Sequence, residues 1–293
     1  MKKYLSIGEL LFDYRQENQL SQMDFSSEIN VDIRTIQRWE KDITLIKPEK
    51  EKEIVEATLL PYQLIRNLNA AQPIPTFYDF RIRKYSLTEL NNKLPDADWL
   101  KPKDDKFSER IRTIDISNDM SILKKDLKIQ KFGQPPILKS VLSRAVELLP
   151  ELNLIIMDDY QNYSGHCIVL PISVEAFNKL NNQEIIDADI TLNDLVNYKT
   201  AENPVFFNYD ITADCNDNVF YLAHKYLKFF LDFPNKAYEF CSYTMRYDSY
   251  RLNEQLGLDL QWEGAVQSDH LGLEYHPRFY TGNFNTYLSD NFS

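Results

Sequence analysis

Apolar residues recur at helical spacing near the N-terminus. Ile7, Leu10, Leu11 and Tyr14 fall at i, i+3, i+4 and i+7, one face of a helix predicted from about Ile7 to Asn18, and Leu20 closes onto it. Ser21 stands where an N-cap belongs, and a second, short helix is expected to bury Met23, Phe25 and Ile29. Asn30 and Val31 turn the chain. Asp32 then caps a third helix, Ile33 to about Lys41, with Ile36 and Trp39 inward. Short helices joined by tight turns have the helix-turn-helix layout. From Pro48 the segment EKEKEIVEATLLPYQLIRNLN continues as helix, with Pro61 placed to kink or restart it.

The pattern then changes. AAQPIPTFYDF, residues 70–80, is too proline-rich for a helix and reads as a linker. Residues 81–135 read as an irregular bridging segment with one short helix, interrupted by Pro95 and Pro102; Arg81, Arg83 and Lys84 have two readings, contacts to the DNA backbone and, the better of the two, a charged linker. Pro136 to Leu149 is an amphipathic helix. After it come apolar runs of strand length, LNLIIMDD, HCIVLPIS, VFFNYDIT, AYEFCSYTM, LQWEGAV and EYHPRFYTGNF, with helices predicted at Val219–Asp232 and Asp248–Leu256. The turn from Tyr160 to Gly165 joins the first two strands in a hairpin, and a polar insertion with two short helices lies between Glu175 and Pro204. The expected fold class is multidomain α and α/β: an all-α domain at 1–68, a linker and bridging segment at 69–135, and a mixed α/β sheet at 136–293.

At 293 residues two domains are the natural division, and 43% hydrophobic content suffices for two cores. The three cysteines, Cys167, Cys215 and Cys241, have no metal-ligand or disulfide spacing, which points to a reducing cytoplasm. The N-terminus lacks the apolar stretch of a signal peptide, and no run approaches the length of a membrane span. Net charge is −11, from 33 Lys and Arg against 44 Asp and Glu, so any nucleic-acid contact must be local.

LSQMDFSSEINVDIRTIQRWEKD resembles the L-S-Q-x-x-(F/L)-A-x-x-x-x-V-(S/D)-x-x-T-I-x-(R/K)-W-E core of the Xre family of lambda-repressor-like regulators. Ser21-Gln22, Phe25, Val31, Thr35-Ile36 and Trp39-Glu40 fall in register. Ser26 replaces the family's alanine, and Asp42 stands where a helix-terminating glycine is usual. The resemblance implies that the third helix enters the major groove of double-stranded DNA, with Ile33, Arg34, Gln37 and Arg38 as the reading face and Gln22 clamping a phosphate or base edge.

The C-terminal half is similar to the GNAT acetyltransferase fold. GHCIVLPISVEAFNKLNNQEI resembles the family's G-Y-x-x-L-P-L-S-x-E-A-(F/Y) phrase, and SYRLNEQLGLDL its helix closing on L-G-F. The resemblance implies a diphosphate loop, (Q/R)-x-x-G-x-(G/A), after the fourth strand. Here that place holds ADCNDNVFYLAH, without glycine or arginine and with Asp214 and Asp217. Counting back from Gly257, the place of the usual tyrosine general acid is Asn253.

Other candidate groups carry bland readings. His224 reads as a packing residue, His166, His270 and His276 have no metal spacing, Cys241 reads as a small hydrophobe, and Asp158-Asp159 as a solvated turn. No catalytic residue, metal or cofactor is assigned. The expected function is a sequence-specific DNA-binding transcriptional regulator with a non-catalytic GNAT-like sensing or dimerisation domain; its expected partners are double-stranded DNA, a small-molecule effector and a second copy of the chain. The alternative is a DNA-targeted acyl-CoA-dependent N-acetyltransferase.

Overall fold

The structure, a computed structural model, describes residues 1–90, 93, 97–100, 109–130, 136–268 and 274–292. The expectations for Pro95, Pro102, His270 and part of the bridging segment lie outside these residues. The chain divides into two compact units, Met1–Leu94 with Asp214–Asn216, and Pro95–Ala213 with Asp217–Ser293.

The first unit contains β1 (Lys2–Tyr4), α1 (Ile7–Glu17), α2 (Gln22–Glu28), α3 (Ile33–Glu40), α4 (Pro48–Thr58), α5 (Tyr62–Leu68), β2 (Thr76–Asp79) and β3 (Lys84–Ser86). Local chemistry sets each helix start. Ser6 Oγ accepts from the Glu9 amide at 3.3 Å, Ser21 and Asp24 form a reciprocal capping box, and Asp32 accepts from the Arg34 amide at 2.8 Å. Leu59 ends α4 in the left-handed region (φ 55°), and Pro61 opens α5, so the helix restarts there.

Two expectations change. The unit is not all-helical: β1, β2 and β3 form an antiparallel sheet, and Lys84, expected on a charged linker, is buried within it. Met23 is 65% exposed, because it sits two residues, about 200° of helix, from Phe25, which faces the core. Asp42 fills the glycine's place by a different device. It adopts φ 52°, and its carboxylate accepts from the Gly8 amide at 2.9 Å and from Ser6 Oγ at 2.6 Å, tying the end of α3 to the start of α1. A buried ion pair between Arg15 and Glu40 joins the same two helices.

The second unit contains β4 (Ile111–Thr113), α6 (Met120–Gln130), α7 (Lys139–Leu148), β5 (Leu154–Met157), β6 (Tyr163–Ile172), α8 (Val174–Asn181), β7 (Val205–Ala213), α9 (Asn216–Asp232), β8 (Glu239–Thr244), α10 (Tyr247–Gln255), β9 (Leu258–Glu263), β10 (Gln267–Ser268), β11 (Glu274–Tyr275), β12 (Arg278–Gly282) and α11 (Asn285–Asn291). β10 and β11 pair separately. The rest form a seven-stranded sheet in the order β4-β5-β6-β7-β8-β12-β9. The bridging segment, expected to be irregular with one short helix, therefore supplies an edge strand and the helix α6.

Both sheet faces are covered, which explains the nearly continuous apolar text of β6 and β7. On one face Phe206 lies 5.1 Å from Phe230 and 5.6 Å from Phe233, ring centre to ring centre. On the other, Ile155, Ile168, Leu170 and Phe207 pack among α6, α7 and α8. Among the described residues no helix is long and apolar enough to cross a membrane.

Gly8 sits where a Cβ would lie 2.6 Å from the Trp39 carbonyl oxygen and 2.8 Å from that of Glu40. Gly8→Ala is therefore expected to cost about 1–3 kcal/mol in urea unfolding followed by circular dichroism. In the same assay Trp39→Ala, which removes a buried ring, is expected to cost about 3–5 kcal/mol, and the exposed Arg38→Ala less than about 0.5 kcal/mol. Equal effects of the three would contradict this packing.

Candidate active site

Among the described strands of the seven-stranded sheet, β7 and β8 are the parallel pair; the other neighbours run antiparallel. Their pairing is short. Val205–Asn208 face Glu239–Ser242, and beyond Tyr209 the residues Asp210–Ala213 keep β6 as partner but leave the β8 ladder. The divergence begins at a bulge: Ile168 and Val169 of β6 oppose Asp210 and Asn208, so β7 carries one extra residue, Tyr209. A bulge bends its strand and interrupts the ladder. Here the result is a fork at the carboxyl end of a parallel pair, where open sheets receive ligands. Asn208 Nδ2 donates to Ser242 Oγ at 3.3 Å at its closed end, and Arg246 Nη1 donates to Thr212 Oγ1 at 2.8 Å further along.

The bulge also shifts side-chain alternation, so Asp210 reaches the face that already carries His166 of β6. Asp126 and Gln130 of α6 and Tyr163 of β6 complete a buried polar cluster. His166 Nε2 lies 2.8 Å from Asp210 Oδ2, Tyr163 Oη lies 2.5 Å from His166 Nδ1, and the same hydroxyl donates to Asp126 Oδ2 at 3.2 Å. Gly165, between these β6 residues, admits no side chain, because a Cβ there would lie 2.3 Å from the Thr212 carbonyl oxygen. Arg246 is gripped by Asp248 through two contacts of 3.1 Å. Burial opposes its charge, but Asp248, then Asp210 and Asp126, hold its pKa above the ordinary value.

Beside the fork a cavity of about 180 Å³ is lined by Tyr243, Trp262 and Phe279, one from each of three neighbouring strands, and by Leu180, Ile185 and Asp187 among others. Asp187 is buried. Its charge raises the phenols of Tyr209 and Tyr243, which stand on the two diverging strands; burial is the larger cause, and Tyr243 is pushed up to about 12. The carboxylate thus lies near both the cavity and the fork.

Several sequence expectations change here. His166 showed no metal-ligand spacing along the chain, yet folding brings it together with Asp126 and Asp210. The connection from β7 to α9 is only two residues long and has no cation of its own. Arg110 supplies one from a distance, donating to Asn218 Oδ1 in the first turn of α9 at 2.7 Å and pairing with Asp159 at 3.4 Å. Asn253 is buried on α10, and the nearby Tyr250 hydroxyl donates to the His276 carbonyl. His224 stacks on Phe292, as a packing residue would, and Cys241 is buried with its thiol pushed well up by desolvation.

The residues expected to read DNA lie in the first unit. Ile33, Arg34, Gln37 and Arg38 are exposed on α3, while Ile36 and Trp39 are buried. Gln22 donates to Glu40 at 2.7 Å and accepts from Gln37 at 3.2 Å.

No family model matches the chain, and no curated protein matches it. Solved structures do. Naa20 of Chaetomium thermophilum, in complex with a bisubstrate analogue, is 9% identical, with 61% of this chain and 88% of that one covered and a TM-score of 0.39. A GNAT-superfamily phosphinothricin acetyltransferase of Sinorhizobium meliloti, in complex with acetyl-CoA, is 10% identical over 59% and 86%, with a TM-score of 0.38. NAA60 of Arabidopsis thaliana, in complex with acetyl-CoA, is 11% identical over 59% and 98%, with a TM-score of 0.37. These likenesses concern the fold alone. They correct the expectation of a DNA-binding regulator with a non-catalytic C-terminal half: the neighbours are acetyltransferases.

Proposed function

We propose that the C-terminal unit is an acyl-CoA-dependent N-acyltransferase. The observation that carries this reading is the fork, where β7 leaves β8 at Tyr209 and runs on to Ala213. An extended ligand rich in amides pairs with such a strand through the backbone. The pantetheine arm of coenzyme A is a ligand of that kind.

The diphosphate end fits less well. Helix α9 offers backbone N–H groups, and the Arg110 guanidinium donates to Asn218 in its first turn, but Asp217 occupies that turn and no glycine allows a close backbone approach. The pantetheine arm is therefore read as the main anchor. When bound, the cofactor supplies an acyl group activated as a thioester. The chain's own groups do the rest: backbone amides of Tyr209–Ala213 orient the arm, the aromatic cavity holds the acceptor, and Asp187 attracts the acceptor's ammonium and takes its proton.

Calorimetry and a thiol-release assay with small primary amines test this. The full chain is expected to bind acetyl-CoA and acetylpantetheine with dissociation constants within about tenfold of each other, a difference below about 1.4 kcal/mol. Asp187→Asn is expected to lower kcat about 10²- to 10⁴-fold while leaving acetyl-CoA binding within about twofold. Absence of binding by the wild type, or an unchanged kcat in the variant, would overturn the reading.

A further inference from the structure

We propose that Asp126, His166 and Asp210 bind one divalent transition-metal ion at the β7 bulge. Their ligand atoms all lie within 4.8 Å of one another. The site is interior: the His166 side chain is fully buried, and the Asp126 and Asp210 side chains are 4% and 10% exposed.

The hydrogen-bond chain assigns the protons. Tyr163 Oη gives its one proton to Asp126 Oδ2, so its 2.5 Å contact with His166 requires Nδ1–H to donate to the phenol oxygen. A neutral imidazole then has its lone pair on Nε2. That nitrogen makes no directed hydrogen bond, although Asp210 Oδ2 is 2.8 Å away. A lone pair and a carboxylate oxygen at that separation repel unless a cation lies between them. Metal-bound histidines characteristically donate their other ring N–H to an oriented acceptor, the part Tyr163 plays here.

The spacing suits an ion. With metal–ligand distances of about 2.1 Å, atoms 2.8 Å apart subtend about 84°, close to the right angle between adjacent octahedral positions. Arg246, the nearby cation, is held by Asp248 through two contacts and is also favoured by Asp210 and Asp126, so an ion here would add to a charge already present. One imidazole and two carboxylates suit Mn²⁺, Fe²⁺ or Zn²⁺ over softer ions. Such an ion would clip α6, β6 and β7 together.

The test uses the full chain, stripped with chelator and titrated with Mn²⁺ and separately with Zn²⁺, read by calorimetry, elemental analysis after dialysis and, for Mn²⁺, electron paramagnetic resonance. One equivalent is expected, with a rise in Tm. Asp210→Asn and His166→Ala are expected to weaken binding at least about 100-fold, and Tyr163→Phe, which keeps the ring, about 10- to 100-fold. Circular dichroism identifies any variant that fails to fold, in which case Tyr163→Phe and the wild-type titration decide. A wild type that takes up neither ion below millimolar concentration, or an Asp210→Asn or Tyr163→Phe variant that binds like wild type, would overturn the site and favour a protonated His166 paired with Asp210. These readouts require no acyltransferase activity.

Discussion

The single extra residue in β7 is the constraint on which the C-terminal unit turns. Tyr209 has no counterpart on β6, so the strand bends where its partnership with β8 ends. Two consequences follow from the same displacement. The strands part and leave a run of β7 backbone without β8, and Asp210 comes round to join His166. A regular strand would have kept the ladder closed and sent Asp210 to the phenylalanine-rich face, where an ionised carboxylate is costly. Gly165 allows the bent segment to lie close against β6, since any side chain there would collide with Thr212 and Ala213.

What surrounds the bulge must hold it. Bulged ladders lose hydrogen bonds, and their polar groups need other partners in a buried setting. Tyr209 Oη accepts from the Ile137 amide at 3.0 Å, and Thr212 Oγ1 accepts from both Arg246 and Gln130. Aromatic packing of Phe206 with Phe229, Phe230 and Phe233 anchors β7 just before the bend. The deformation therefore sits between a rigid apolar root and a polar network.

Much of this architecture was legible in the sequence where contacts are local. Apolar spacing and cap residues located α1, α2 and α3, because Ser21 and Asp32 act on amides two or three positions away. Alternation and apolar runs located β5 to β9, since both faces of the central strands are buried. Local rules failed where the deciding partner was distant. Met23 looked apolar enough for the core, yet the short α2 faces it outward. Asp42 looked like a broken helix stop, and only its bonds to Ser6 and Gly8 explain it. Helix α6 was obscured by its lysines, and Asp126, His166 and Asp210 have no regular spacing along the chain. Nothing in VFFNYDITA marks Tyr209 as the extra residue, because a bulge is a property of two strands.

On the proposed function, the stretch of β7 beyond the bulge receives the acyl donor. Hydrogen–deuterium exchange of the full chain with and without acetyl-CoA tests it most directly. Saturating acetyl-CoA is expected to slow exchange in peptides covering Tyr209–Ala213. Binding that protects other segments while leaving Tyr209–Ala213 unchanged would contradict it.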